Sequence, residues 1–369
     1  MRVARGTIAR FVRDVEMSLS SEKLSDIGEA LLVEQIIRSL PRCGDPGECP
    51  GDDAAVVYTE SGSTLLFCID TLVEGVHFRL DISSFFDVGW KAVAVNFSDI
   101  AAMGGYPSKA VLSVSAPGNT DVAAVGELVK GASECASRYQ AAVVGGDTGE
   151  APLLVVTVAA LGSMPPKTRP VLRTGARPGD RVVVTGCLGA AQLGLEAALA
   201  GKNKEDAFVM AHRRPTPRIK EGTTAASRRA ASMIDVSDGL VLDASRLAAA
   251  SGVSIALDLS TLPLALNPSQ KTSHEPRESS ELYRLALRAA LLGGDDYELL
   301  FTIPEQDLDR LFEAWSEELA PLSVIGTVDT GSGVRLQPVD LVPEDLETGG
   351  WQHFYGTFTA RSPHSTGID

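Results

Sequence analysis

Short apolar runs recur along this chain, and most of them lead into aspartate beside glycine or serine. GDDAAVVY (51–58) reads as a short strand and TLLFCID (64–70) as a stronger one. Val143 and Val144 end a strand that runs into GGD, and LLVVTVAALG (153–162) is a further buried strand. Helical spacing appears earlier, where Leu32, Val33, Ile36, Ile37 and Leu40 share one face after an Asp26 N-cap with Glu29 as its capping-box partner. Pro41 stops that helix. Residues 84–103 read as a long helix starting near Ser83 or Ser84.

From Pro165 to Asp180 the composition shifts to Pro, Gly and Arg, which places a domain boundary there. Beyond it strand and helix alternate: RVVVTG (181–186), a helix around 190–200, ASMID (231–235), a helix over 240–250, then VSIALDL (253–259). Such alternation predicts an α/β layer arrangement. The expected division is an extension over 1–23, an N-terminal domain over 24–164, a C-terminal α/β domain over 165–358 and a tail over 359–369. Residues 266–280 are polar and read as a loop, and no internal repeat has a fixed period.

The 369 residues suit two domains, and 44% hydrophobic with 22% charged residues fits a folded globular chain. A formal net charge of -15 repels nucleic-acid backbones and anionic membranes, so neither is an expected partner. Five cysteines without a CxxC pair read as reduced thiols of a cytosolic protein, although Cys43 and Cys49 share one loop. The arginine-bearing N-terminus lacks the apolar core of a secretory signal, and the apolar stretch Leu153 to Leu161 is too short to span a bilayer. The expected location is cytoplasmic.

The acids carry the chemistry. Asp53 follows glycine in GDD, while Asp70 and Asp147 end apolar strands. Asp235 ends another in SMIDVSDG with Asp238 close behind, and Asp295 and Asp296 follow the glycines of LLGGDDYELLF. One such aspartate reads equally well as a plain turn residue. The recurrence at strand ends does not. Asp99 is odder, lying in WKAVAVNFSDIAAMGG, a helix otherwise of small and apolar residues, with Asn96 one turn earlier and Lys91 as the near cation. A buried carboxylate there is costly unless something cationic meets it.

If these acids converge, they require cations, because two carboxylates ~4 Å apart repel by about 4 kcal/mol at an effective dielectric near 20. All-oxygen ligation, with no Cys or His in the motifs, points to Mg²⁺ rather than Zn²⁺. Magnesium between carboxylates and phosphates is the arrangement of phosphoryl transfer, and it lets an acidic protein handle ATP. Rival nucleotide signatures are absent: there is no GxxxxGK[ST], HRD or DFG set, and TGCLGAAQLG (185–194) lacks GxGxxG spacing. No GxSxG elbow occurs either.

Taken in order, GDDAAV (51–56), DTLVEGVHF (70–78), KAVAVNFSDIAAMGG (91–105), VVGGDT (143–148), RTGARPGD (173–180), DVSDGL (235–240), GGDDYELLFT (293–302) and GWQHF (350–354) resemble the thiamine-monophosphate kinases. These belong to the superfamily of aminoimidazole ribonucleotide synthetase and selenophosphate synthetase. The resemblance spans about residues 24–358, and GVHF, GG(E/D)DYEL and the terminal G-aromatic-x-H-F pattern are its most particular parts. It implies a two-domain aminoimidazole-ribonucleotide-synthetase-like α/β (α+β) fold whose N-terminal domain forms a dimeric β-barrel, with ATP between the domains and several Mg²⁺ ions.

Carried over residue by residue, the resemblance makes Asp53, Asp70, Asp99, Asp147, Asp235 and Asp238 metal ligands. It makes Tyr139, Gly146, Asp147, Arg173 and Ser237 ATP contacts, and His77, Asp295 and Trp351 contacts to the acceptor, thiamine monophosphate. The reaction it implies is direct in-line transfer from ATP to form thiamine diphosphate in a homodimer. Because a phosphate monoester oxygen is already ionised near neutral pH, no catalytic base is needed, and charge is met by Mg²⁺ and Arg173. Three departures stand out: Cys68-Ile69 where many relatives have Ser-Thr, Asp295 in place of the commoner Glu, and Gly149 in place of a frequent Thr. A synthetase of the same fold lacks its catalytic Cys with Lys here, and an inactive nucleotide- or thiamine-binding sensor would not need the full acid set.

Overall fold

The computed structural model describes residues 23–40, 50–202, 206–266 and 281–342. The expected extension, the Cys43 and Cys49 loop, most of the 266–280 loop, Trp351 and the tail lie outside the described residues. Residues 23–40 belong to one compact unit and residues 50–342 to another.

In the first unit, α1 (Leu24–Ser39) begins two residues earlier than its expected cap. Asp26 therefore sits inside the first turn, where its carboxylate accepts the Lys23 backbone N–H at 2.9 Å. Gly28 interrupts the helix at φ 69°, a left-handed value that costs little without a Cβ.

The second unit holds two open sheets. The first contains β1 (Ala55–Tyr58), β2 (Thr64–Val73), β3 (Tyr106–Ala116), β4 (Ala142–Glu150) and β5 (Val155–Ser163), in the order β1-β2-β5-β3-β4. Strands β3 and β4 pair in parallel, joined by α3 (Val122–Arg138), and the other pairs are antiparallel. Among the described residues the expected barrel is not formed. The order ends on β1 and β4, which are not paired with each other, whereas a barrel needs its outer strands joined.

Two expected strand ends also move. Strand β2 continues past Asp70 to Val73, and β4 runs through the GGDT segment to Glu150. Glycine permits the second continuation. A Cβ on Gly146 would lie 1.8 Å from the Leu112 carbonyl oxygen of β3, so any other residue would push the paired strands apart.

Against the first sheet packs α2 (Phe85–Ala102), the expected long helix. Ser84 caps it: its hydroxyl accepts the Asp87 N–H at 3.2 Å, and the Asp87 carboxylate accepts the Ser84 N–H at 3.0 Å. Nearly every residue of α2 is buried, which explains why its sequence is apolar around the whole circumference.

The second sheet has the order β11-β8-β10-β6-β9-β7, from β6 (Asp180–Thr185), β7 (Ser232–Asp235), β8 (Ser254–Asp258), β9 (Leu299–Pro304), β10 (Leu322–Asp329) and β11 (Gly333–Gln337). Its helices are α4 (Ala190–Leu199), α5 (Ala207–Arg213), α6 (Ile219–Ser227), α7 (Leu240–Ser251), α8 (Glu281–Leu292) and α9 (Glu305–Ala314). Both faces are covered. Val183, Met233 and Phe301 join the core around α2, while Val182, Val184, Ile234 and Leu300 join the core beneath α7 and α8. That alternation at every second residue is why RVVVTG and SMID are continuously apolar. Because α2 touches β2, β5 and β7, it carries Asp99 between Asp70 and Asp235.

Candidate functional site

Three carboxylates converge on one point. Asp53, Asp99 and Asp235 each place an oxygen within 4.8 Å of the other two. Asp70 hydrogen-bonds to Asp99, and the Ser98 hydroxyl donates to Asp235 Oδ2 at 2.5 Å. Burial, then the charges of Asp70, Asp235 and Asp53, pushes the Asp99 carboxyl well above its ordinary range. Burial and the Asp53 charge do the same to Asp235, and burial raises Asp70 despite the hydrogen bond from Asp99. Carboxyls raised in this way favour their protonated forms, and a donor set of carboxylate oxygens alone is the chemistry that suits a hard cation such as Mg²⁺.

Arg173 answers part of this charge. Its Nη2 lies 2.7 Å from Asp53 Oδ1 and its Nε 3.4 Å from Oδ2, while its backbone N–H donates to Asp52 Oδ1 at 2.6 Å. The GDD loop is thus tied to residue 173 by two consecutive aspartates with different duties. Ser251 Oγ donates to the Arg173 carbonyl at 2.9 Å, fixing the far side of the same residue.

Past the end of β7 the chain turns through Val236, Ser237 and Asp238. The backbone N–H groups of Ser237 and Asp238 donate to Asp243 Oδ2 at 3.1 and 2.9 Å. Asp243 is fully buried, and burial pushes its carboxyl up to about 7 against the pull of Arg246. Arg246 bridges both acids, 2.7 Å from Asp243 and 2.5 Å from Asp238. Neither Asp243 nor Arg246 stood out in the sequence; the one signal was an Asp–Arg pair at i,i+3 on the helix after DVSDG.

On another side sit His77 and Asp295. The Val73 N–H donates to His77 Nδ1 at 3.0 Å, so the neutral ring carries its proton on Nε2. Asp295 precedes β9 in a left-handed conformation, φ 70°, and accepts the Tyr297 hydroxyl at 3.0 Å. Its neighbour Asp296 turns the opposite way and accepts the N–H groups of Gly189 and Ala191 at 2.5 and 3.1 Å, closing the start of α4. TGCLGAAQLG is therefore capped by a carboxylate of this chain.

The other expected residues are more dispersed. Asp147 is exposed on edge strand β4, and Gly146 beside it is fixed by its approach to Leu112. Tyr139 packs edge-on against Phe97, with ring centroids 6.1 Å apart, and its buried hydroxyl has no hydrogen-bond partner. The charged groups that act on it are Arg138, Arg218 and Glu221. Cys68 donates its thiol to the Asn96 carbonyl at 3.2 Å, and burial with the Asp99 charge keeps it protonated. No helix among the described residues is long and apolar enough to cross a membrane.

Residues 51–164 match the family model "AIR synthase related protein, N-terminal domain", and residues 177–338 match "AIR synthase related protein, C-terminal domain". The chain is similar to the thiamine-monophosphate kinase of Bacillus subtilis (strain 168), 36% identical over 82% of this chain and 92% of the relative. That of Aquifex aeolicus (strain VF5) is 36% identical over 90% of this chain and 100% of the relative. Among solved structures, "AaThiL complexed with AMPPCP and TMP" superposes with a TM-score of 0.75 at 34% identity, covering 91% of this chain and 100% of that one.

Proposed function

This chain belongs to the thiamine-monophosphate kinase family, and from that premise we propose how its own residues carry the reaction. It is an ATP-dependent kinase that converts thiamine monophosphate to thiamine diphosphate. One observation carries the assignment of the site: the oxygens of Asp53, Asp99 and Asp235 that meet within 4.8 Å.

Asp53, Asp70, Asp99, Asp147, Asp235 and Asp238 hold Mg²⁺ ions in this reading. Mg²⁺ bound there supplies positive charge to the phosphate oxygens during transfer. The buried acids bind and orient the metal-bound phosphates, and Ser98 fixes the rotamer of Asp235. Arg173, Ser237, Gly146 and Tyr139 hold the nucleotide, with Arg173 turning part of its charge from Asp53 to phosphate. His77 presents its Nε2–H to the acceptor phosphate, and Asp295 and Trp351 hold the thiamine moiety. An acceptor oxygen that is already ionised needs no base, so transfer is direct and forms no phosphoenzyme.

The two domains are taken as 24–164 and 165–358, and the protein as a cytoplasmic homodimer. Support for self-association comes from the outer face of the first sheet, where Val57, Phe67, Ile69 and Val111 are large and exposed.

Purified protein incubated with ATP and thiamine monophosphate is expected to yield ADP and thiamine diphosphate, resolved by chromatography, and to stop in EDTA. Phosphorylation of free thiamine instead, or turnover untouched by EDTA, overturns the reading.

A further inference from the structure

Lys91 is the one lysine of α2, and it is almost fully buried, with its side chain 3% exposed. An ammonium group taken out of water is costly unless its partners are well placed. Here they come from both halves of the molecule. Lys91 Nζ lies 2.7 Å from Asp295 Oδ2 and 3.3 Å from the His77 carbonyl oxygen. These two residues are the ones assigned to the acceptor phosphate and to the thiamine moiety.

A buried ion pair can be structural alone, and three features separate this one from that case. First, Asp295 is not sequestered with its partner, since 31% of its side chain remains exposed. The carboxylate is gripped from inside and open on the other side. Second, its backbone is strained. Asp295 and Tyr297 both take left-handed values, φ 70° and 51°, which non-glycine residues adopt at a cost and which packing must enforce. The Asp295 N–H donates to the Ser237 carbonyl and the Tyr297 N–H to the Val236 carbonyl, each at 2.8 Å. The strain is thus held by the turn that also carries Asp238.

Third, Lys91 is the charge that answers Asp295. His212 Nδ1 stands 3.6 Å from Asp295 Oδ2, but burial and the neighbouring Lys91 push the imidazole down to about 4, so it is neutral at pH 7. Burial alone would raise the Asp295 carboxyl; the Lys91 charge leads the influences that outweigh it and hold it below its ordinary range. The group facing the open side is an ionised, oriented carboxylate.

We propose that Lys91 is the positioning residue of the acceptor subsite, its buried ammonium fixing the Asp295 carboxylate and the His77 loop in one arrangement. This rests on the reading of His77 and Asp295 as acceptor contacts. The shorter Asp in place of Glu makes the anchor matter more, because a carboxylate one methylene shorter has less freedom to find the acceptor by itself.

The test is a double-mutant cycle read in steady-state kinetics: wild type, Lys91→Met, Asp295→Asn and the double variant, each with thiamine monophosphate and ATP varied in turn. Lys91→Met is expected to raise the thiamine monophosphate KM about 10-fold, as for loss of a hydrogen bond to a charged group, and to leave the ATP KM within about 2-fold. The double variant should fall well short of the product of the single effects, because the two residues act as one unit. If Lys91→Met alone does not fold, the double variant is compared with Asp295→Asn: about 3-fold or less between them supports the proposal. Effects that multiply, an equal rise in the ATP KM, or a lowered Tm with both KM values unchanged overturn it. Wild-type protein without activity on thiamine monophosphate would instead remove the functional reading on which it rests.

Discussion

The guanidinium of Arg173 lies across the carboxylate of Asp53, Nη2 to Oδ1 at 2.7 Å, with the Asp53 side chain 1% exposed and the Arg173 side chain 23% exposed. Asp53 is at the same time one of the three acids that converge. The pair therefore ties Arg173, proposed to hold the nucleotide, to one of the acids proposed to hold metal, and substituting either member is expected to affect both.

Arg173→Ala leaves Asp53 buried beside other carboxylates without its cation. The metal-free variant is expected to lose about 3–5 kcal/mol of unfolding free energy, as when one partner of a buried pair is removed. Adding Asp53→Asn to it should restore part of that loss. Urea unfolding in EDTA measures both, and the ATP KM should rise while the thiamine monophosphate KM stays near wild type.

Asp99→Asn and Asp235→Asn should each cut kcat by about 10²–10³-fold, the scale seen when one group that stabilises developing charge is removed. Without metal, neither should melt below wild type, because the substitution relieves repulsion among the converging acids. A large fall in the Tm of the metal-free variants would assign these residues to folding instead.

Acidity should stabilise the metal-free protein. Burial raises the carboxyls of Asp99, Asp235 and Asp70, so the folded state keeps protons that the unfolded chain releases above about pH 4. Their contribution is full below that pH and is lost as pH climbs through the raised values. Thermal melting in EDTA should show Tm falling from pH 5 to pH 8, with a shallower slope in the Asp99→Asn/Asp235→Asn variant. Mg²⁺ should raise Tm more at pH 8 than at pH 5, where protons compete for the same oxygens.

His77→Asn offers a separate probe. An asparagine oxygen can accept the Val73 N–H as Nδ1 does, while the Nε2–H donor disappears. The thiamine monophosphate KM should rise about 10-fold or more, the loss of one hydrogen bond to a charged group, with the ATP KM unchanged. Initial-rate kinetics decide it, and an ATP KM that moves as much would place His77 elsewhere.

Much of this arrangement was legible beforehand, for reasons that lie in particular residues. The Ser84 cap and the unbroken small and apolar run after it gave α2, and Asp99 stood out because such a helix offers a carboxylate no water. The end of β4 was misplaced because glycines usually punctuate strands, whereas Gly146 is required by the nearness of Leu112. Lys91 and Asp295 are 204 positions apart, and Arg246 was an ordinary helical arginine until the fold turned it toward Asp238. Pairings of that kind have no local signature. The barrel came from the family resemblance and not from the spacing of the strands, and the open order of the first sheet removes it.

The neighbouring aspartates 295 and 296 have a bearing on redesign. Asp295 pairs with Lys91 while Asp296 closes the start of α4, and the backbone between Gly294 and Tyr297 is bonded to the turn after β7. A library that varies this segment to admit a bulkier acceptor would therefore change helix anchoring and the placement of Asp238 in the same stroke. Selection for a new substrate would therefore be drawn away from residues 293–297 and toward side chains outside this segment.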